Sequence, residues 1–348
     1  MARISVHIVS WNSARFLGDA VDSLRAQTFK DFTLTLVDNA STDGSVDVVR
    51  ERFPEATVLR NFKNLGFSHG HNQAIELARN RWEADDARGR SSVDRYVLVM
   101  NPDVILTPNF LENLVKGIDG RFEVGSACGR LLRVRRGVDE PEFTDIVDSA
   151  GLVLRKNRGA VDRGAGEHDG PPYDVPSEVF GVSGALALVR AEAVERLREI
   201  DGQVFDEDFF AYKEDVDLAW RLRLLGWKAS YVNAAVAYHY RGTGGDEKAG
   251  FWERFTRRRR RSALVNRLST RNQLLLTAKN DDAVNRLLHL PWICPHVIGT
   301  FLSTLLLTPR ALGAYAEAVA LLPKMWKKRR AVFRMRKVSA KEIRAWFR

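Results

Sequence analysis

Apolar positions along this chain switch repeatedly between two periods. Arg3–Ser10 sets Ile4, Val6 and Ile8 alternately with other residues and reads as a strand. Ala14–Gln27 places Phe16, Leu17, Val21 and Leu24 on one helical face. Phe32–Val37 reads as a second strand, Ser45–Phe53 as a helix, Thr57–Arg60 as a strand and Ser68–Arg79 as a helix. Glu83–Asp94 is charged and poor in apolar residues, which predicts a solvated loop. Tyr96–Met100 is apolar throughout, the mark of a strand buried on both faces. Strands alternating with helices predict an α/β fold with a mostly parallel sheet covered on both sides.

The pattern loosens after Asn109–Ile118, a helix opened by Thr107-Pro108. Val124–Val134 and Ile146–Leu154 read as strands, and Arg155–Pro176, rich in Gly, Pro and charge, as a mobile loop or hairpin. Phe180–Val189 is apolar, Ala191–Glu199 and Val216–Leu225 read as helices, and Trp227–Tyr238 as a strand. From Phe251 the chain becomes basic and helical, beginning with Phe251–Lys279. Val284–Thr308 contains the most apolar run, Val297–Leu307, which Pro291, Pro295 and Gly299 are expected to break. That run falls short of the roughly 20 residues a spanning helix needs and reads as interfacial, re-entrant or core. A last helix starts at Thr308-Pro309, with Leu312, Tyr315, Val319, Leu322 and Trp326 on one stripe. Two units are expected: an α/β domain over residues 1–250 and a basic helical region over 251–348.

Charge sharpens this division. Residues 1–250 carry about 32 basic and 39 acidic side chains, whereas 251–348 carry about 22 and 5. The net charge of +10 is therefore the sum of a mildly acidic body and a strongly basic tail. Such a tail suits a polyanionic partner, either an anionic membrane surface or nucleic acid. The runs Arg257–Arg261 and Lys327–Arg330 are either solvated helix faces or sites for anionic headgroups. Cys128 and Cys294 match no metal or disulfide pattern and fit a reducing compartment, and no secretory signal is expected.

Chemistry concentrates at predicted strand ends. Asn101-Pro102-Asp103 follows the Tyr96 strand and is either turn chemistry or the seat of a hard cation against a phosphate. Asp38 ends the second strand, where a carboxylate can accept the imide N–H of a pyrimidine; nearby Asp43 reads as a helix cap. Asn64-Leu65-Gly66-Phe67 lets backbone approach a phosphate, without a dinucleotide fingerprint. The acidic run from Asp206 to Asp217 is either the start of a helix or the source of a general base. His239 stands at a strand end as a structural residue or a metal ligand.

Taken in order, Val37-Asp38-Asn39-x-Ser41-x-Asp43-Gly44-Ser45, Asn64-Leu65-Gly66-Phe67, Asn101-Pro102-Asp103, Glu214-Asp215-Val216-Asp217-Leu218 and His239 resemble family 2 glycosyltransferases of the GT-A fold, particularly the bacterial rhamnosyltransferases. The resemblance spans residues 3 to about 245. It implies that Asp38 and Ser10 meet the pyrimidine, and that Asn64, Gly66, Phe67 and Asn101 line the nucleotide pocket. It also implies that Asp103 and His239 hold Mg²⁺ or Mn²⁺ and that Asp215 is the catalytic base. Asn101 stands where the family's metal motif has its first Asp, and Glu214 has no assigned role. The implied reaction is an inverting transfer of L-rhamnose from dTDP-L-rhamnose to a polyprenyl-diphosphate-linked sugar, at the cytoplasmic face of the cell membrane, in envelope polysaccharide synthesis. The alternatives are a UDP-sugar donor with another glycan acceptor, or a basic nucleic-acid-binding protein. Arg271 and Asn272 are expected near the lipid diphosphate.

Overall fold

The computed structural model describes residues 2–89, 94–137, 140–240 and 261–348. Strands and helices alternate as β1 (Ile4–Ser10), α1 (Ala14–Arg25), β2 (Phe32–Asp38), α2 (Ser45–Arg52), β3 (Thr57–Arg60), α3 (Gly66–Asp86) and β4 (Tyr96–Met100). These four strands form a parallel half-sheet in the order β3-β2-β1-β4. Its register sets Ser10 opposite Asp38, so both side chains arrive at the same carboxyl-end edge. Every residue of β4 is buried, with Val97 and Val99 in one core and Tyr96, Leu98 and Met100 in the other. Period-two alternation thus feeds both faces of the sheet.

The rest of the sheet is mixed. β5 (Val104–Leu106), α4 (Phe110–Lys116), β6 (Val124–Arg136), β7 (Pro141–Ser149), a hairpin of β8 (Leu152–Leu154) and β9 (Ala160–Asp162), and β10 (Ser177–Val179) follow. Next come β11 (Leu186–Arg190), α5 (Ala191–Asp201), α6 (Glu214–Leu224) and β12 (Lys228–His239). β11 lies antiparallel between β4 and β6, and β12 runs parallel to β6. β5 pairs antiparallel with β12, setting His239 opposite Val104, one residue beyond Asp103.

Several expected boundaries move. α3 continues through Asp86 where a loop was expected from Glu83, because Trp82 is buried and Arg79 binds Glu76 and Glu83 across successive turns. The single strand expected over Ile146–Leu154 is divided at Gly151, whose φ of +102° turns the chain into β8. Only Leu186–Arg190 of the apolar Phe180 segment is a strand.

Five helices close the described chain: α7 (Ala263–Asn280), α8 (Ala283–Leu288), α9 (Leu290–Leu307), α10 (Gly313–Arg334) and α11 (Ala340–Arg344). α9 runs through Pro295 without a break; Pro291 occupies its first turn, where no backbone donor is lost. On α10 the buried stripe is Ala314, Ala318, Met325, Lys328 and Val332, while Val319 and Trp326 of the expected stripe face outward. Leu275, Leu276, Met325, Val332 and Phe347 join the core formed by Val97, Val99 and Trp220. The basic helices therefore share a core with the sheet. The 250/251 boundary and Arg257–Arg260 lie outside the described residues.

Candidate active site

The parallel strands deliver their polar ends to one edge. Asp38 is fully buried and its carboxylate accepts the Ser41 N–H at 3.2–3.3 Å, with the Arg60 guanidinium 3.8 Å away. Ser10 Oγ beside it is buried without a hydrogen-bond partner. Gly44, not Asp43, holds the cap position of α2; the Asp43 carboxylate accepts the N–H groups of Ala14 and Ser45, tying together the starts of α1 and α2. Asn39, to which its place in the sequence assigns no role, donates its amide to the Gly66 carbonyl at 3.1 Å and links the β2 end to the Asn64–Phe67 segment.

That segment is shaped by its own residues. Asn64 Oδ1 accepts the Gly66 N–H at 2.9 Å, and Gly66 has φ +84°. A Cβ there would lie 2.6 Å from both the Phe210 ring and the Phe210 carbonyl. Gly66→Ala is therefore expected to destabilise the chain by more than about 1 kcal/mol and to weaken nucleotide binding. Melting and nucleotide titration of the variant test this, and wild-type values in both would refute it. Phe67 N–H donates to the Phe210 carbonyl at 2.8 Å, which brings the segment onto the acidic run ahead of α6.

Most of that acidic run is already committed. Asp206 is buried and paired with Lys279 (2.6 Å) and Lys328; Asp208 pairs with Lys324 and Lys328. Asp217 is buried with Lys279, Arg221 and Asn280 around it. Glu207 accepts from Asn72 at 3.0 Å and faces His69. Glu214 is buried, with Oε2 unpartnered. Burial, and then the charge of Asp215, push its carboxyl up to about 8. Asp215 differs from all of these. It is half-buried and, among the described residues, stands outside any ion pair and accepts only backbone N–H groups, from Gly184 (3.1 Å) and Val216 (2.8 Å).

The raised Glu214 carboxyl has a sign that can be measured. The folded chain holds this proton to higher pH than the unfolded chain does, so its ionisation withdraws stability as pH rises from about 4.5 toward about 8. Glu214→Gln is expected to remove that slope, giving a variant relatively more stable at pH 8 than at pH 5. Urea unfolding at the two values checks it; an unchanged slope would contradict the assignment.

Gly184 draws the site together. A Cβ on it would meet Asp215 at 3.2 Å and Phe67 at 3.4 Å. The next residue, Ala185, accepts the Asn101 N–H at 2.9 Å. Two residues beyond Asn101, Asp103 meets His239, with Nε2 3.2 Å from Oδ1. His239 Nδ1 lies 2.8 Å from Asp148 on β7, a partner that gave no signal in the sequence because its register is set by the sheet. Burial opposes charging His239, but hydrogen bonds and the charges of Asp103 and Asp148 outweigh it and push the imidazole up to about 10. With the Nε2 proton displaced, a carboxylate beside an imidazole whose far nitrogen is held by a second carboxylate fits a divalent cation. Among the described residues no group of three His, Cys, Asp or Glu side chains is arranged around one point, so a bound ion would need further ligands from a diphosphate or water.

Arg271 and Asn272 do not face an open surface. Asn272 is buried and its amide donates to the carbonyls of Phe209, Ala211 and Tyr212; Arg271 donates to those of Asp208 and Phe209. Their chain-internal bonds replace the expected contact with a lipid diphosphate. Within Lys327–Arg330, Lys328 is likewise committed to Asp206 and Asp208, and Arg329 donates to the Asp281 carbonyl, leaving Lys327 and Arg330 exposed.

The Glycosyl transferase family 2 profile matches residues 5–198, and that of Glycosyl transferase family group 2 matches residues 167–325. An N-acetylglucosaminyl-diphospho-decaprenol L-rhamnosyltransferase of Mycobacterium tuberculosis is 32% identical over 258 residues, covering 70% of this chain and 78% of the relative. The rhamnosyltransferase WbbL of Escherichia coli is 27% identical over 183 residues, covering 50% and 61%. Among solved structures, a mannosyltransferase of Pyrobaculum calidifontis in complex with GDP-Man and Mn²⁺ superposes with TM-score 0.50 at 17% identity, covering 99% of this chain and 87% of that one. Staphylococcus aureus TarS 1–349 in complex with UDP gives 0.51 at 14%, covering 99% and 92%. These two establish the GT-A fold, and the sequence matches establish the family. The chain is a glycosyltransferase and belongs to Glycosyl transferase family 2.

Proposed function

We propose that the chain moves L-rhamnose from dTDP-L-rhamnose to a sugar on a polyprenyl diphosphate, by one inverting displacement. The rhamnosyltransferases above support the sugar and the lipid-linked acceptor. The observation that carries the mechanism is the isolation of Asp215, the accessible carboxylate of its run that lies outside every ion pair among the described residues, bound through Gly184-Ala185 to the Asn101–Asp103 turn. Asp215 takes the proton of the acceptor hydroxyl as attack proceeds. Asp38 and Ser10 receive the pyrimidine; Asn64, Gly66, Phe67 and Asn101 line the nucleotide. Asp103 and His239 hold Mg²⁺ or Mn²⁺, which when bound supplies positive charge against the departing diphosphate. Thermal shift with Mn²⁺ and dTDP-, UDP- and GDP-sugars tests the donor reading: dTDP-L-rhamnose is expected to give the largest shift. Preference for GDP would sink the role of Asp38.

The same reading places residues 1–250 as the catalytic unit and the basic helices as the membrane-associating region, at the cytoplasmic face. α9 supports this. Among the described residues it is the one helix long and apolar enough to cross a bilayer, yet only a small part of it is buried against the protein. Ile298 and Leu306 are 58% and 73% exposed. At 18 residues it measures about 27 Å, and it suits a helix lying in the interface with its outer face among acyl chains. Ile298→Asp with Leu306→Asp is expected to release the chain from anionic vesicles in flotation while leaving donor binding intact. Flotation equal to wild type would remove α9 from the membrane-binding surface.

A further inference from the structure

Three of the six non-glycine residues with positive φ among those described, Phe210 (63°), Tyr212 (71°) and Lys213 (73°), lie within residues 210–213, immediately before Glu214-Asp215. Side chains rarely adopt this backbone, so a segment holding three such residues needs external restraint. The restraint comes from α7. Asn272 Nδ2 lies 2.8, 2.9 and 2.7 Å from the carbonyl oxygens of Phe209, Ala211 and Tyr212. Arg271 Nε donates to Asn272 Oδ1 at 3.0 Å, which fixes the amide with its NH₂ toward those carbonyls. One helix therefore grips the segment ahead of the base, and Lys279 and Asn280 of the same helix grip Asp217 just behind it. The Phe210 carbonyl, held in place by this grip, is the acceptor for Phe67 N–H on the nucleotide side.

We infer that Asn272 is a positioning residue: from the basic helical region it holds the strained 209–213 backbone so that Asp215 and the Asn64–Phe67 segment meet in a fixed geometry. The inference rests on Asp215 being the base. Asn272 touches no substrate; it acts through the three carbonyls. Asn272→Asp keeps the size but turns a donor into a second acceptor facing three oxygens, and Asn272→Ala removes the grip without adding charge.

The test pairs two readouts on the full chain, with Asp215→Asn measured alongside. Hydrogen exchange is followed in peptides covering residues 206–217, and transfer from dTDP-L-rhamnose to a short-chain polyprenyl-diphosphate-linked N-acetylglucosamine is followed kinetically. Both Asn272 variants are expected to exchange faster across 206–217 and to lose about 10²-fold in kcat, the scale of a small misplacement of a reacting group. The melting temperature falls, because buried carbonyls lose their donor, but the folded fraction at the assay temperature and exchange outside residues 206–217 and 64–67 should stay near wild type, and the loss should fall more on kcat than on donor KM, which a general loss of fold would not allow. Wild-type exchange and kcat in both variants would overturn the inference, as would a kcat loss matched by a loss of folded protein. If Asp215→Asn turns over at the wild-type rate, the base reading fails instead, and the grip is judged on exchange alone. Exchange also decides alone if that substrate pair is not turned over.

Discussion

Asp215→Asn is expected to lower turnover by about 10²- to 10⁴-fold, the range a positioned general base contributes, and to leave nucleotide affinity nearly unchanged. The substitution preserves shape, but the Gly184 and Val216 N–H groups fall on different oxygens of Asp215, so the amide keeps only one of these two bonds. What it removes is the capacity to take a proton. No neighbour can replace it. Asp206, Asp208 and Asp217 are neutralised by lysine or arginine, and Glu214 is buried and still protonated near neutral pH. Glu207 is turned toward Asn72 and His69. Initial rates at saturating donor, together with a nucleotide titration, check both halves of the expectation. Turnover at the wild-type level would move the base elsewhere.

Lys279→Met should cost about 3–5 kcal/mol, the usual consequence of removing one partner from a buried ion pair. Lys279 is fully buried between Asp206 and Asp217, with Nζ 2.6 and 3.0 Å from their oxygens. The substitution fills the volume and leaves two buried carboxylates short of a cation. Lys328 and Arg221 remain, which places the loss toward the lower end of that range. The pH dependence has a definite sign. Burial raises the Asp206 carboxyl, but Lys279 and Lys328 more than reverse this and hold it well below the usual carboxylate range. Its contribution is thus present above the unfolded value near 4 and is lost only as pH falls toward the lower folded value. Denaturant unfolding of wild type and variant at pH 7 and pH 3 measures this. The difference should shrink at the acid end, and a variant as stable as wild type at pH 7 would show that the cluster is not coupled to folding.

Both expectations depend on contacts that the sequence conveyed unevenly. Strand ends were legible because an apolar run stops abruptly on a polar residue: Asp38, Asn101, Asp103 and His239 all lie where such runs end, and the register gathers them. Asp148 and Asn39 were not legible. Each acts through a side-chain bond to a residue distant in sequence, His239 and Gly66 respectively, and a polar residue in a strand or turn carries no mark of its eventual partner. Charge composition left one use of these cations unseen. A basic tail suggested an external polyanion, yet Lys279, Lys324, Lys328, Arg267 and Arg336 are paired with carboxylates of the same chain. Counting charges by segment cannot register such pairing. The proline-rich α9 was expected to break, but a proline in the first turn costs nothing and Pro295 is accommodated within the helix.

The central claim is that this geometry performs glycosyl transfer from a pyrimidine nucleotide-sugar to a lipid-linked acceptor, with inversion. Its most direct test is product analysis by mass spectrometry and NMR after incubating the full chain with dTDP-L-rhamnose, Mg²⁺ or Mn²⁺, and polyprenyl-diphosphate-linked N-acetylglucosamine. The account predicts a product heavier by one deoxyhexose, release of dTDP that requires both acceptor and metal, and an anomeric centre opposite to that of the donor. A product with the donor's own configuration, or transfer that proceeds equally in excess chelator, would contradict it.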